Sequence, residues 1–309
     1  MRVFKLSFQI LSPLMTPLMA DTLWGIICWG IRYFDGEKAL KGFLSAYETS
    51  SPPLILSDPF PSGYLPVPKL KPVTKEKMSK EEYGKIKKIK KIEFIKAKYF
   101  FDKVPINYSI LEESIENQKN LKTQARLHNV VDRLTNTVKE NSLYEKVELW
   151  YRKKSIFDVY ILSSISKDEI VRIFLNAFLI GYGADTSLGK GHLQFVSIDE
   201  GVIFPSFPEN EIVRGMALAS FIPSPRDKFD QILYSLKTKY GKLGGEFAIK
   251  GNPFKKPLLM YQSGATFSSS GRVSFVGTLV SNVHSSYSFV KHYALAPVIY
   301  FKEGEENVI

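Results

Sequence analysis

A glycine-rich segment, GYGADTSLGKG at Gly181–Gly191, constrains the fold of this chain more than any other stretch. Four of its eleven residues are glycines, and glycine lets the backbone adopt positive φ and approach a neighbour closely. An apolar run with helical periodicity, Ile170–Ile180, precedes the segment, and a short strand-like run, His192–Ile198, follows it. The sequence therefore predicts a helix, a glycine loop and a strand in direct succession.

The polar residues of this segment suit it to an anionic partner. Ser187 and Lys190 add a hydroxyl and a positive charge to the turn, so the loop amides, with Lys190 as counter-charge, can lie along a phosphate backbone. A helix C-cap followed by a turn is the simpler alternative, and it explains one glycine. A Walker A loop is excluded because five residues, not four, separate Gly183 from Gly189. A dinucleotide fingerprint is excluded because here the helix precedes the strand.

The positive charge of the chain is large but uneven. The 309 residues carry a formal net charge of +11, which is typical of proteins that meet nucleic acid or an anionic surface. The segment Lys69–Lys103 holds 13 lysines against 5 acidic residues, so most of the excess lies there. Basicity of the whole chain is therefore a weak argument for a nucleic-acid groove elsewhere.

Composition also limits the chemistry that we expect. Cys28 is the only cysteine, which excludes a disulfide within the chain and fits a cytoplasmic protein. No apolar run approaches the ~20 residues of a membrane-spanning helix, so we expect no membrane partner. The histidines form no HExxH motif, and no acidic pair is clustered, so we expect neither a metal site nor a cofactor.

The order of predicted elements indicates an α+β fold. With the segment 69–120 set aside as a basic insertion, the first two thirds read β-α-β-β-α-β, the ferredoxin-like order that RNA-recognition (RRM) modules share. The predicted elements are a strand at Arg2–Leu11, a helix capped by Asp21 or Thr22, strands at Leu143–Tyr151 and Ile156–Leu162, a helix at Lys167–Ile180, and the strand after the glycine loop. The aromatic RNP1 pattern of RRM modules is absent, so RNA would be bound by loops and backbone.

From about Pro205 onward, strand signals predominate, with one helix predicted near Arg226–Lys237. This part of the chain is predicted to form a second, strand-rich domain.

Three blocks of the sequence together resemble signature regions of the RAMP superfamily of CRISPR proteins. They are SPLMTPLMADTLWG at Ser12–Gly25, ARLHNVVDRLTN at Ala125–Asn136, and the glycine-rich segment. Within that superfamily the blocks look like the subunit of type III-A Csm complexes that caps the 5′ end of the guide RNA. The C-terminal YGKLGGEF, YQSGATF and VKHYALAP stretches fit the same family, whereas Lys69–Lys103 matches no motif of it.

The resemblance implies both an architecture and a role. It implies two ferredoxin-like (RRM-like) RAMP domains in one chain, at residues 1–204 and 205–309. It also implies a non-catalytic subunit that grips the repeat-derived 5′ handle of crRNA. Such a subunit contacts a large polymerase-like CRISPR subunit on one side and a RAMP backbone subunit on the other.

The candidate RNA-binding residues lie in two of the three blocks. Arg126 and Arg133 can each hold a phosphate through two hydrogen bonds, although a surface ion pair is the alternative for both. Asn129 can bind a base edge. The full set of candidates is Arg126, His128, Asn129, Arg133, Gly181, Gly183, Ser187, Gly189, Lys190, Gly191 and His192.

Two other functions stay open at this stage. Some RAMP relatives are metal-independent endoribonucleases that process precursor crRNA, and His128 or His192 could serve as the acid or base of such an enzyme. Alternatively, the chain is a general nucleic-acid-binding scaffold whose basic insertion does most of the binding. Cleavage of repeat RNA would favour the first alternative, and loss of affinity on removal of Lys71–Lys98 would favour the second.

Overall fold

Helices and strands alternate in the first two thirds of the chain, and strands predominate after residue 204. The computed structural model describes residues 1–49, 52–71, 80–114, 121–269 and 271–304. The helices are α1 Ala20–Phe34, α2 Glu37–Ser45, α3 Lys80–Ile89, α4 Lys98–Phe101, α5 Tyr108–Glu113 and α6 Lys167–Ile180. None of the helices in these ranges is both long enough and apolar enough to cross a membrane.

The strands run from the second residue of the chain almost to its end. They are β1 Arg2–Ile10, β2 Leu54–Leu56, β3 Phe60–Pro61, β4 Tyr64–Pro66, β5 Phe94–Lys96, β6 Leu121–His128, β7 Tyr144–Tyr151, β8 Ile156–Ser163, β9 Leu193–Asp199, β10 Arg214–Ala217, β11 Gln231–Leu233, β12 Leu236–Lys239, β13 Leu258–Tyr261, β14 Thr266–Ser268, β15 Phe275–Val280 and β16 His292–Phe301.

The first sheet has the strand order β2-β8-β1-β9, and β3 also pairs with β8. All of these pairings are antiparallel. Helix α1 connects β1 to β2, and α6 connects β8 to β9, so a β-α-β-β-α-β order is present. Its second strand is β2, however, and not the strand predicted at Leu143–Tyr151, which is β7 of a separate two-stranded sheet. The strand predicted at Arg2–Leu11 is confirmed as β1, and its alternate residues Phe4, Leu6 and Phe8 are fully buried.

Helices α1 and α6 pack closely because α1 has a glycine at the contact. A Cβ on Gly30 would lie 3.2 Å from the backbone nitrogen of Ala177 in α6. Ion pairing adds to this contact where α1 ends, since Arg172 of α6 bonds to Asp35 at 2.5 Å. A small residue at position 30 therefore permits the close packing of the two helices.

The second sheet has the strand order β11-β14-β10-β16-β15. The helix predicted near Arg226–Lys237 is wrong, because β11 and β12 occupy that region. Burial alternates from residue to residue in β12, as it does in a strand: Lys237 and Lys239 are half-buried, while Leu236 and Thr238 are exposed. No α-helix occurs in the described residues 205–269 and 271–304, so a second ferredoxin-like unit and a boundary at 204–205 stay predictions.

The core is continuous between the two sheets. One buried cluster contains Phe4 and Phe8 of β1 together with Phe267 of β14 and Tyr293 of β16. The Tyr293 hydroxyl also accepts a hydrogen bond from the Leu56 amide at 2.7 Å, which ties β16 to the edge strand of the first sheet. Burial of this apolar surface holds the N-terminal and C-terminal parts together.

The basic insertion has a core of its own, which packs on the second sheet. Ile89 and Ile92 recur every third residue and are buried, together with Ile95 and Phe100, against residues of β10 and β16 that include Phe301. The isoleucines of the lysine-rich insertion therefore form a buried seam. Residues 72–79 and 115–120 of the insertion lie outside the described part of the chain. Removing the whole insertion would strip part of the core, so its role in binding is better tested by replacing lysines.

Candidate nucleic-acid interface

The β6–β7 hairpin forms a two-stranded sheet separate from the two main sheets. Its strands pair in register from Leu121 with Tyr151 to His128 with Tyr144. The loop between the strands is solvent-exposed and includes Leu134, which is 96% exposed. The base of the hairpin is joined to the segment before α1 by two backbone bonds between Leu14 and Leu149, at 3.0 and 2.8 Å.

The glycine loop folds over the same segment. The Gly191 amide donates to the Pro13 carbonyl at 3.0 Å, and the Tyr182 amide donates to the Gly191 carbonyl at 2.8 Å. Beneath the loop, the buried Tyr182 hydroxyl donates to the Pro17 carbonyl and accepts from the Met19 amide, each at 2.8 Å. The three blocks that resemble the RAMP superfamily therefore meet in one surface.

The four glycines of the loop have positive φ, from 72° to 88°, but different surroundings. Gly181 is the C-cap of α6, so the simpler alternative is correct for that one residue. A Cβ on Gly183 would lie 2.7 Å from Thr16, and one on Gly191 would lie 2.1 Å from the Tyr182 carbonyl oxygen. A Cβ on Gly189 would have open space around it. Gly189 is therefore the loop glycine at which a ligand can approach the backbone.

Several loop amides are already used inside the loop. The Leu188 and Lys190 amides donate to the Asp185 carbonyl, and the Gly189 amide donates to the Thr186 carbonyl. These three amides are not available to a phosphate in this conformation. Ser187 and Gly189, both exposed, form the outer rim of the loop.

A buried carboxylate fastens the loop to the hairpin. Glu148 of β7, whose side chain is 2% exposed, bonds to Lys190 at 2.6 Å, to Arg126 at 3.0 Å and to the Trp150 indole at 3.0 Å. We call this group of four residues the Glu148 junction. Lys146 bonds to Asp185 of the loop at 2.5 Å and adds a second link. Lys190 is thus paired rather than free, and Arg126 forms the ion pair that the sequence left open as its alternative.

The pKa of Glu148 is set by two opposing effects. Burial acts to raise it, but the hydrogen bond and charge of Lys190, with smaller contributions from Trp150 and Arg126, outweigh burial and lower it. Glu148 therefore stays ionised at neutral pH, and it leaves the junction with a net positive charge from Arg126 and Lys190.

We expect Glu148→Gln to loosen the hairpin from the glycine loop. A neutral amide cannot balance Arg126 and Lys190, and lost charge-assisted bonds of this kind cost about 1–3 kcal/mol. Native-state hydrogen exchange should show at least about tenfold lower protection in the β6–β7 hairpin and in residues 185–190. Glu145→Gln, at an exposed carboxylate of the same strand, is the control. Equal protection in the two variants would contradict the role of the junction.

The other candidate residues lie around the junction. The His128 ring stacks on Tyr144, with 5.5 Å between ring centroids. Asn129 and Arg133 lie in the exposed hairpin loop. His192 is exposed, and its backbone amide donates a hydrogen bond to the Ser12 hydroxyl at 2.9 Å. The structure thus brings Arg126 and Lys190 together, and it leaves Arg133 and His192 open to solvent.

Asp21 is not the helix cap that the sequence predicted. Helix α1 begins at Ala20, and the Ala20 amide donates to the distant side chain of Asp58 at 2.7 Å, so no cap is needed from Asp21. Asp21 is instead buried, 2.8 Å from the Lys239 ammonium and 3.5 Å from the His292 ring. These partners lie far away in the sequence. The only local signal for them is the alternation of Lys237 and Lys239 in β12.

A cleft of about 460 Å³ opens beside this buried group, between the glycine loop and residues 240–245. Burial acts to raise the pKa of Asp21, but Lys239 and His292 outweigh it and lower that pKa. Burial also lowers the pKa of His292 to about 4, against the opposing charge of Asp21. Lys255, on the same cleft, has its pKa lowered to about 8 by burial.

We expect the protein to lose stability as the pH falls from about 6.5 towards about 4. In the unfolded chain His292 binds a proton at its ordinary pKa of about 6.5, whereas in the folded protein its pKa is about 4. Between these two values the unfolded state binds more protons, so acid favours unfolding. Urea denaturation at several pH values measures this slope. His292→Gln should make the slope shallower between those limits, and an unchanged slope would contradict the assignment.

Solved assemblies contain chains of the same fold. In the crystal structure of a Csm1–Csm4 cassette with pppApA, a chain 17% identical aligns with a TM-score of 0.62 over 99% of this chain and 100% of that one. The same cassette with cA4 gives 18% identity and a TM-score of 0.60 over 98% and 99%. The Csm3–Csm4 subcomplex of the type III-A CRISPR-Cas interference complex gives 18% and 0.55 over 96% and 99%. No protein-family model matches the sequence, and no curated protein matches it.

These likenesses first define a class: the chain has the fold of a subunit of type III CRISPR-Cas complexes. Csm4 is the component that the three assemblies have in common, so the particular likeness is to Csm4, over nearly the whole length of both chains. The resemblance to a subunit of the type III-A Csm complex, predicted from three sequence blocks, is therefore confirmed at the level of the fold.

Proposed function

We propose that this chain is a non-catalytic, RNA-binding assembly subunit of a type III-A CRISPR effector. In this proposal the hairpin and the glycine loop grip the repeat-derived 5′ handle of crRNA. The chain also links a large polymerase-like subunit to the RAMP backbone. Its likeness to Csm4 in assemblies with Csm1 and with Csm3 supports the two protein contacts.

The observation that carries the proposal is the meeting of two distant candidate segments at the Glu148 junction. Arg126 lies on the hairpin and Lys190 on the glycine loop, and both bond to the same carboxylate. The junction retains a net positive charge, whereas the exposed Lys122, Arg133 and Lys139 of the hairpin are matched in number by the exposed Asp132, Glu140 and Glu145. A positively charged junction attracts an RNA backbone by neutralising its phosphates.

The contacts of Arg126, Lys190 and His128 favour a structural role for these three side chains, whereas His192 is exposed to solvent. Arg126 and Lys190 are held by Glu148, and His128 is stacked on Tyr144, so each of these side chains has a structural contact. A general acid or base must instead reach the reacting oxygen of a substrate. A non-catalytic role is therefore the proposed function, and a metal-independent endoribonuclease is the alternative.

Co-purification from the native host tests the proposed function. We expect the tagged chain to retain short RNAs that share one repeat-derived 5′ end, together with a polymerase-like large subunit and a backbone subunit. Metal-independent cleavage of repeat RNA by the isolated chain, abolished by His128→Ala or His192→Ala, would instead establish the processing nuclease. RNA of random sequence without effector subunits would favour the general scaffold.

A charge at Gly189 should weaken RNA binding. Gly189 is in the left-handed region at φ 77° and ψ 18°, which asparagine and aspartate tolerate better than other residues. Gly189→Asn and Gly189→Asp therefore differ mainly in charge. We expect the aspartate variant to bind a synthetic handle RNA about tenfold more weakly than the asparagine variant, a difference within the range for one charged contact.

Filter binding at fixed salt measures this difference, because affinity for RNA depends steeply on salt. Matching thermal melting curves would show that both variants are folded. Equal affinities of two folded variants would remove the glycine loop from the proposed RNA surface.

A further inference from the structure

A second, more apolar cleft of about 660 Å³ lies between α1, α2 and two C-terminal segments. Trp24 and Trp29 of α1 line one side, and Leu40 and Leu44 of α2 line another. Phe247 and Phe289 belong to the C-terminal segments that complete it. The volume is within the range of protein clefts that receive a ligand or an anchoring side chain.

Helix α2 presents an incompletely covered apolar face to this cleft. None of its residues, all of which are described, is fully buried. Leu40 and Leu44 are separated by one helical turn, so they lie on the same face, and both are only half-buried. An amphipathic helix normally buries such a face, so α2 lacks part of its apolar packing in the isolated chain.

The aromatic wall of the cleft is poorly suited to stacking a nucleic-acid base. The Arg32 guanidinium lies over the rings of both Trp29 and Phe247, at 5.1 and 5.5 Å from their centroids. Glu246 holds Arg32 in place through an ion pair of 2.6 Å. A base that stacked on these faces would have to displace Arg32. Aliphatic and aromatic side chains of a protein can instead pack against Leu40, Leu44 and the ring edges.

The charges around the cleft complement an acidic partner. Its lining contains five basic residues against one acidic residue, Glu37. Lys41 and Lys242 are exposed at the mouth, whereas Lys255 is half-buried and donates to the Lys291 carbonyl. A segment with apolar side chains flanked by carboxylates would satisfy both the apolar walls and this charge.

We propose that the cleft is a docking site for a protein partner, and that it receives apolar side chains carried on an acidic segment. The proposal rests on the proposed function in one respect, namely that the chain assembles with other protein subunits. It adds the surface at which one of them is held and the chemistry of the segment that the surface recognises.

Site-specific photo-crosslinking in the assembled complex tests this directly. Benzoylphenylalanine in place of Lys41, at the cleft mouth, should cross-link to a protein subunit. The cross-linked peptide should contain apolar residues beside aspartate or glutamate. The same group in place of Ala39, which is exposed on another face of α2, should give no such product. A cross-link from the Lys41 position to RNA, to a basic peptide, or to nothing would overturn the proposal.

Charge reversal supplies a second test at an exposed residue, where the substitution should leave the fold intact. Lys41→Glu should weaken retention of the cross-linked subunit about two- to fivefold, the effect expected of one exposed charge pair at an interface rim. Lys38→Glu, on the same helix but outside the cleft lining, should leave retention unchanged. Equal effects of the two reversals would mean that only the overall charge of α2 matters, and would overturn the site.

The two proposals fail in different ways. A wild-type chain that purifies without any protein subunit would refute the proposed function, and the docking site would fail with it. A wild-type complex that assembles normally, with crRNA bound, but in which the Lys41 position gives no cross-link to protein would refute the docking site alone.

Discussion

Gly191→Ala should destabilise the protein by about 2–5 kcal/mol. The substitution has two costs. An alanine at φ 72° adopts the left-handed region, which costs about 1–2 kcal/mol. Its Cβ would also lie 2.1 Å from the Tyr182 carbonyl oxygen, so the backbone must shift, which adds about 1–3 kcal/mol. That shift would break the bonds that Gly191 makes to Tyr182 and Pro13.

Urea denaturation followed by circular dichroism measures the loss. Gly189→Ala is the matched control, because it has a similar φ of 77° but open space around its Cβ. It should cost only the conformational part, about 1–2 kcal/mol. If the two variants unfold at the same urea concentration, the close approach of Gly191 to Tyr182 does not limit the stability of the loop.

Local patterns in the sequence were sufficient for β1, β8 and β9 of the first sheet and for the helices α1 and α6, but not for β2 and β3. The alternation of Phe4, Leu6 and Phe8 predicted β1, and the apolar periodicity before Gly181 predicted α6 with its correct ends. The spacing of Ile89 and Ile92 in the insertion also matches their burial in the folded chain. These features depend on residues that are neighbours in the chain.

The pairing of charges was not accessible in the same way. Nothing near Lys190 indicates that it bonds to Glu148, because the two residues belong to a loop and a strand that meet only in the folded chain. The sequence therefore assigned Lys190 to a phosphate and left Arg126 open. For Asp21, local capping rules gave a role that Asp58 performs from a different part of the chain. Tertiary contacts overrode local preference at both positions.

The strand β12 illustrates how the same limit affected secondary structure. A helix was predicted near Arg226–Lys237, where the folded chain instead forms β11 and β12. In the folded chain, β12 pairs with β13, and this turns Lys237 and Lys239 towards the buried Asp21. The strand is thus specified by a distant carboxylate and a distant strand, and neither is visible in a local window of sequence.

Asp21→Asn should be among the most destabilising single substitutions in this chain, at about 3–5 kcal/mol. The Asp21 side chain is 3% exposed and lies 2.8 Å from Lys239. The negative charge of Asp21 also stabilises the positive charges of Lys237 and Lys255, which burial disfavours. Removing one partner of a buried ion pair leaves the other charge without compensation, and this is the source of the large effect. Thermal and urea unfolding at pH 7 measure it.

Adding Lys239→Met to Asp21→Asn distinguishes the cost of an unpaired ammonium from the cost of altered packing. In the double variant, the uncompensated ammonium is gone, so we expect part of the stability lost in Asp21→Asn to return. Glu37→Gln is the control for an ion pair in water, because Glu37 and Lys41 form an exposed pair on α2 at 2.8 Å, and its unfolding should match that of the unaltered protein. If Asp21→Asn behaves like Glu37→Gln, then Asp21 does not hold β12 and β16 against α1. The contact between the N-terminal and C-terminal parts would then depend on apolar packing alone.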